Sequence, residues 1–280
     1  MQIQIEMKTI LVPTDFSAPA ENAARYALQL ARYLEAEISL CHALFVPSVT
    51  PMAAQVAWPL YDYSALKQET DKELELLVKK LRVKKGTSAI GQLTTVVSER
   101  VVQEKAVMVV MGMSGAGALS KFFLGSNSQK MIDAANFPVL LVPSEFAFSG
   151  IKKIAFATDL SSGDIKVIHS IAGFARRFNA DLLVTHITDN AENRKKSDSF
   201  LNEISCKINY DKIYYRQVKN ADIDEGLAWL SDHGFIDMLV MVHLHRNFLD
   251  RLFMGSHTQR QIRHIHIPLF VFPVDVHPVF

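Results

Sequence analysis

The chain is written twice. The segment Lys8-Thr9-Ile10-Leu11-Val12-Pro13-Thr14-Asp15-Phe16-Ser17 returns as Lys152-Lys153-Ile154-Ala155-Phe156-Ala157-Thr158-Asp159-Leu160-Ser161. Asp15 and Asp159 lie 144 residues apart, and so do His42 and His186. Later landmarks keep step at a shorter offset: Val110 to Val240, Gly125 to Gly255 and Pro138 to Pro268 are each 130 apart. A repeat of this length is a whole domain, which excludes solenoid arrays built from units of about 20–50 residues. The second copy has lost fourteen residues between His186 and Val240, and we assign the loss to the counterpart of Val46 to Leu60. The 280 residues therefore divide into domains 1–146 and 147–280. Each is long enough to bury its own core. The joining segment, Ser144 to Gly150, is short, so the two domains are expected to pack against each other rather than hang on a tether.

Within each copy, short apolar runs alternate with stretches of helical periodicity. In the first copy, strands are expected at Ile10 to Pro13, Ile38 to Phe45, just before Gly91, Val107 to Met111 and Val139 to Val142. A helix opens at Ser17-Ala18-Pro19, where a serine can cap the first turn and the proline loses nothing. Tyr61 to Leu81 reads as an amphipathic helix with Leu66, Leu74, Leu77 and Leu81 turned inward. Leu93 to Val102 is rich in β-branched residues, yet its apolar positions follow helical spacing, and a helix completes the alternation there. The second copy repeats the pattern, with strands at Ile154 to Ala157, Leu182 to His186, Ile213 to Val218, Met238 to Val242 and Leu269 to Phe272. Its helices fall near Gly163 to Phe178, Ser197 to Ile208, Ile223 to His233 and Ser256 to His264. Strands alternating with helices give parallel sheets covered on both faces. The last strand of each copy is apolar enough to need a cover, and the two are expected to meet each other.

Composition narrows the partners. A formal net charge of +1 supplies no general attraction to nucleic acid or to anionic membrane. The local cluster Lys79, Lys80, Arg82, Lys84 and Lys85 reads as a solvated helix C-terminus rather than a polyanion site. The two cysteines, Cys41 and Cys206, stand at unrelated positions in the two copies and match no metal or redox spacing, so both read as reduced core or near-core thiols. No run approaches the ~20 apolar residues of a membrane span, and the N-terminal residues lack a signal pattern, which makes the cytoplasm the expected location.

The chemistry-bearing feature is Gly112-Met113-Ser114-Gly115, nine residues, then Gly125-Ser126, directly after the apolar run ending at Met111. A strand that ends in glycines and leads into a helix start offers outward-pointing amides to phosphate. Gly125, Ser126 and Asn127 supply amides and a hydroxyl ahead of a helix expected from about Ser128. The plain alternative is a tight strand-to-helix turn. The spacing is neither that of the lysine-containing phosphate loop nor that of the dinucleotide fingerprint. It resembles the ATP-binding signature of the universal stress protein family, and the resemblance extends to Val12-Pro13-Thr14-Asp15-Phe16-Ser17, to His42, and to Phe137-Pro138-Val139-Leu140-Leu141-Val142-Pro143.

The resemblance implies a Rossmann-like, doubly wound α/β fold in each domain, a tandem pseudo-twofold pair, and an adenine nucleotide as ligand: ATP, with AMP or ADP as variants and Mg as a companion. It implies that Pro13, Thr14 and Asp15 close the first strand at the ligand, with Asp15 on the adenine or ribose, where its plain reading is a cap for the following helix. Ala43 would lie under the adenine. Met111, Gly112 and Gly115 would follow the ribose and phosphates, and Gly125, Ser126 and Asn127 would hold the phosphates. In the second copy Gly112 and Gly115 correspond to Val242 and His245. That site is expected to be degenerate although Thr158, Asp159, Gly255 and Ser256 remain, because side chains there would block a close approach.

Six of the ten histidines lie between His243 and His277, without a recognisable ligand spacing, and read as hydrogen-bonded or solvent-facing rather than metal-binding. No nucleophile-base pair and no paired carboxylates stand at the glycine loop. The sequence thus favours a nucleotide-dependent regulatory or stress-response module with an unknown protein partner and the capacity to dimerise. The alternatives are a slow ATP-hydrolysing enzyme and a ligand-free interaction scaffold.

Overall fold

The computed structural model describes residues 7–45, 63–114, 124–188, 194–243, 265–274 and 280. The first copy gives β1 (Lys8–Pro13), α1 (Ala18–Leu34), β2 (Ala36–Leu44), α2 (Tyr63–Leu81), β3 (Lys85–Ile90), α3 (Leu93–Glu104), β4 (Ala106–Gly112), α4 (Ser126–Ala134) and β5 (Val139–Val142). The second gives β6 (Lys153–Thr158), α5 (Asp164–Phe178), β7 (Asp181–Thr188), α6 (Arg194–Lys207), β8 (Ile213–Lys219), α7 (Ile223–His233), β9 (Met238–Val242) and β10 (Leu269–Phe272). The second-copy helix expected over Ser256 to His264 lies outside the described residues.

Local rules set the helix ends. Ser17 caps α1 by accepting from the Ala20 amide at 3.4 Å, and Pro19 occupies the first turn. The helix stops at Glu35, a left-handed residue with φ 53°. Lys105 and Asn179 end α3 and α5 in the same left-handed way. The ambiguous Leu93 stretch is helical because Val96, Val97 and Val101 share one buried face. The contraction of the second copy falls between its second and third strands: His42 faces Ser88 and His186 faces Gln217, so the offset has already shortened by β8.

The ten strands form one sheet in the order β3-β2-β1-β4-β5-β10-β9-β6-β7-β8. Neighbours are parallel except at the centre, where β5 and β10 run antiparallel with Phe270 opposite Leu140. The two last strands therefore meet, and each removes the other's open edge. The interface continues on one sheet face, where Tyr33 of α1 packs on Phe178 of α5 at 4.7 Å between centroids and Glu35 meets Arg177 at 3.3 Å. The joining segment is pinned: Asn22 donates to the carbonyls of Pro143 and Phe146, both at 3.1 Å, and Ile151 is buried.

Three expectations are corrected. Leu66 is exposed, because α2 meets the sheet through Leu74, Leu77 and Leu81, two turns further on. The basic cluster is not simply solvated. Lys80 pairs with Glu21, Lys84 with Glu37 and Lys85 with Glu104, which brings carboxylates from α1, β2 and α3 to the end of α2 and the start of β3. Cys206 is exposed while Cys41 is buried, so only one thiol belongs to a core.

Candidate functional site

In a doubly wound sheet, ligands settle outside the carboxyl ends of the strands where the winding reverses. Here β1 sits between β2 and β4, so the reversal lies at the ends of β1 and β4. Pro13, Thr14 and Asp15 stand at the end of β1, Met111 and Gly112 at the end of β4, Ala43 near the end of β2, and Gly125, Ser126 and Asn127 at the start of α4. All nine belong to one edge of the first half. Gly115 lies outside the described residues, as do His245, Gly255 and Ser256.

A tight turn follows β1. The Thr14 amide donates to the Cys41 carbonyl at 2.9 Å, and the Thr14 hydroxyl accepts from the Phe16 amide at 3.0 Å. Phe16 is held at φ 62°, a conformation that costs a bulky L residue of order 1–3 kcal/mol. The turn is stabilised by His42, whose Nδ1 lies 2.8 Å from the Thr14 carbonyl and whose ring stacks on Phe16 at 4.8 Å. The second half repeats the device: Leu160 has φ 61°, and His186 Nδ1 lies 2.9 Å from the Thr158 carbonyl. The shared 144-residue offset marked these histidines, but their role as supports for the turn required the tertiary contact. Asp15 is exposed, and its Oδ1 accepts from the Ser17 amide at 3.1 Å and from the Ser17 hydroxyl. The carboxylate is therefore presented at the rim in a fixed orientation while it also braces the cap of α1.

At β4 the chain leaves the sheet with both ends of the glycine loop tied down. The Met113 amide donates to the Val142 carbonyl, and the Gly125 amide donates to the Met113 carbonyl, both at 2.8 Å. The Ser128 hydroxyl donates to the Gly112 carbonyl at 2.9 Å. The helix starts at Ser126, earlier than the expected Ser128, because Gly125 takes the extended N-cap conformation. Among the described residues no side chain caps α4, and Ser126 and Asn127 are exposed, so the positive helix end stands at the edge of the sheet beside the end of β4. Gly112 has a packing reason of its own. A Cβ there would stand 3.1 Å from the carbonyl oxygens of Pro19 and Ser114, so the glycine lets α1 close onto β4. The Met111 side chain is buried in the core. Burial pushes the Cys41 thiol, behind the turn, up to about 12, which makes it inert.

The second half diverges in its chemistry. Asp164 replaces Ala20 of the first copy, is 3% exposed, and accepts from the Thr158 hydroxyl at 2.5 Å. Burial raises its carboxyl to about 6, against the lowering effect of the Thr158 hydroxyl, and the neighbouring Asp159 adds to the rise. Val242 is buried where the first copy has Gly112, and α5 begins two residues later than α1 in repeat register. His243 Nε2 lies 3.3 Å from Oδ1 of Asp133 on α4 of the first half. Among the described residues, no three His, Cys, Asp or Glu side chains converge as a metal site.

Fold and site define a tandem α/β protein whose two halves carry different residues at the ends of corresponding strands, Gly112 in one and Val242 in the other. The chain belongs to the universal stress protein family, whose profile matches residues 6–143 and again residues 150–273. A universal stress protein of Methanocaldococcus jannaschii is 32% identical over 143 residues, covering 48% of this chain and 81% of its own. One from Thermus aquaticus is 30% identical over 140 residues, covering 48% of this chain and 98% of its own. Each matches about one copy of the repeat. The crystal structure of a universal stress protein from Archaeoglobus fulgidus is similar across both halves, with a TM-score of 0.69 at 16% identity over 95% of this chain and 98% of that one. No described helix is long and apolar enough to cross a membrane.

Proposed function

We propose that the first half binds an adenine nucleotide, ATP ahead of ADP and AMP, and that the protein is a nucleotide-dependent regulatory module rather than an enzyme. One observation carries the reading: the end of β1, the end of β4 and the uncapped start of α4 converge at the switch point. The residues suit the ligand. Asp15 offers an oriented acceptor for ribose or adenine hydrogen-bond donors, and Ala43 leaves room for a flat base. The amides of Ser126 and Asn127, with the Ser126 hydroxyl, suit phosphate oxygens, and Mg²⁺ would accompany the phosphates from solution. Pro13 and Thr14 shape the turn, the backbones of Met111 and Gly112 line the crevice floor, and Gly115 and Asn127 complete the proposed set. With domain limits proposed at 1–146 and 147–280, this whole set belongs to the first domain.

The regulatory reading follows from what the crevice offers. Its donors and acceptors suit binding and orienting a nucleotide, and its carboxylate, Asp15, is engaged by the Ser17 amide and hydroxyl. The test has two arms. Mass spectrometry of small molecules released from purified protein should find an adenine nucleotide, and titration calorimetry should give one site per chain. A turnover assay should find hydrolysis far below the ~10 per second of a median enzyme. FMN, a lipid or no ligand, or turnover at ordinary enzymatic rates, would overturn the proposal.

A further inference from the structure

We infer that His243 of the second half is a positioning residue for the nucleotide crevice of the first half, acting through α4. The inference rests on the nucleotide reading above and adds a role for the half whose own crevice has diverged.

The topology puts the parts together. Because β5 and β10 pair antiparallel, the carboxyl edge of the second half lies beside the amino edge of the first. Helix α4 runs back from the carboxyl edge of its own half, so its last turn reaches the second half's crevice edge. There Asp133 Oδ1, which also accepts from Gln129 at 3.4 Å, meets the largely buried His243 Nε2 at 3.3 Å. His243 is rigidly placed, since its amide donates to the Phe272 carbonyl at 2.8 Å, just as the Met113 amide donates to Val142. It follows directly on Val242, the residue that stands where the intact crevice has Gly112.

The contact is one-sided. The twofold-related pair in repeat register is Met113 and Arg263, and a thioether cannot supply the same bond. The duplication therefore supports only the first-half crevice by this route. Helix α4 is nine residues long, so a hold on its last turn fixes the direction of its first. Its start is tied by Gly125 to Met113 and by Ser128 to Gly112, its inner face by buried Met131 and Ile132, and the outer side of its last turn by Asp133 to His243. Releasing the Asp133 tie lets the short helix tilt about its buried Met131 and Ile132, shifting the Ser126 and Asn127 amides relative to the ends of β1 and β4. By reciprocity, a ligand that orders these amides also strengthens the clasp between the halves.

The test uses the full chain and ATP as probe. His243→Ala and Asp133→Ala, each of which removes one partner of the contact, should each weaken ATP binding about fivefold, and the double variant should be no weaker than either alone. His243→Gln, which keeps a neutral donor in reach of Asp133, should restore most of the loss. Backbone NMR shifts of Ser126 to Ser128 should move in His243→Ala and return in His243→Gln, a response that general loosening of the fold would not give. Should His243→Ala fail to fold, Asp133→Ala alone decides the matter. Unchanged ATP affinity in folded variants of a wild type that does bind ATP would overturn the clasp and leave the nucleotide reading standing. A wild type that binds no adenine nucleotide would overturn both.

Discussion

Asp164→Asn should stabilise this protein at neutral pH, and the gain should disappear in acid. Asp164 lies at the start of α5, 3% exposed, with a carboxyl raised to about 6 from the ordinary 3.8. The sign follows from proton counting. Between about pH 4 and pH 6 the folded chain keeps a proton that the unfolded chain releases, so stability falls as pH rises through that window. Above about pH 6 the charged, buried carboxylate costs roughly 3 kcal/mol relative to its protonated form, at 1.36 kcal/mol per pKa unit. Asparagine removes the charge and keeps an oxygen for the Thr158 hydroxyl, which bonds Oδ2 at 2.5 Å in the native protein. The lost helix N-terminal carboxylate opposes the gain by at most about 1 kcal/mol. The net expectation is roughly 2 kcal/mol at pH 7 and nothing below pH 4. Urea unfolding of wild type and variant at half-unit pH steps from 4 to 7 measures it. A variant no more stable than wild type at pH 7, or a difference independent of pH, would refute the reasoning.

Alkylation with iodoacetamide at pH 8 should modify one thiol of the native chain, the exposed Cys206, and reach Cys41 only on unfolding, because burial holds that thiol near 12. Gly173→Ala should lower the thermal midpoint even though alanine is the better helix former by about 1 kcal/mol. A Cβ at Gly173 would stand 2.6 Å from the Phe280 carbonyl oxygen, and moving that residue would undo its ring contact with Phe174 at 5.2 Å. A raised midpoint would show that Phe280 yields without cost. Gly115→His, which copies the second half's residue into the first, should weaken ATP binding by more than tenfold in calorimetry without unfolding the chain, since it acts by excluding ligand. Two equivalent nucleotide sites in the wild type would show that the functional half has been misassigned.

What the sequence determined alone is the duplication and the alternation of strand and helix, while the family resemblance singled out residues of which nine fall along one edge of the first half. These are repetitive or short-range properties. The 144-residue offset needs no structure to be seen, and the spacing of Val96, Val97 and Val101 marks a helix despite β-branched side chains. Apolar Val139 to Val142 and Leu269 to Phe272 each demanded a cover, and they cover each other. Gly125 and Ser126 announced a helix start, and the end of β4 did fall beside it.

The tertiary structure decided which distant residue each side chain meets. Lys80, Lys84 and Lys85 looked solvated because their carboxylates lie on three other elements, 59, 47 and 19 residues away. Gly112 looked like a ligand-facing glycine, yet its missing side chain also makes room for the Pro19 carbonyl of α1. Asp164, an ordinary polar residue at a helix start in the sequence, lies buried against Thr158. Asp133 and His243 are 110 residues apart and in different copies, and only the antiparallel joint between β5 and β10 brings them to 3.3 Å. Periodicity records which face of an element is buried, but the partner on that face is fixed by how the crossovers and the two halves pack, which no local pattern encodes.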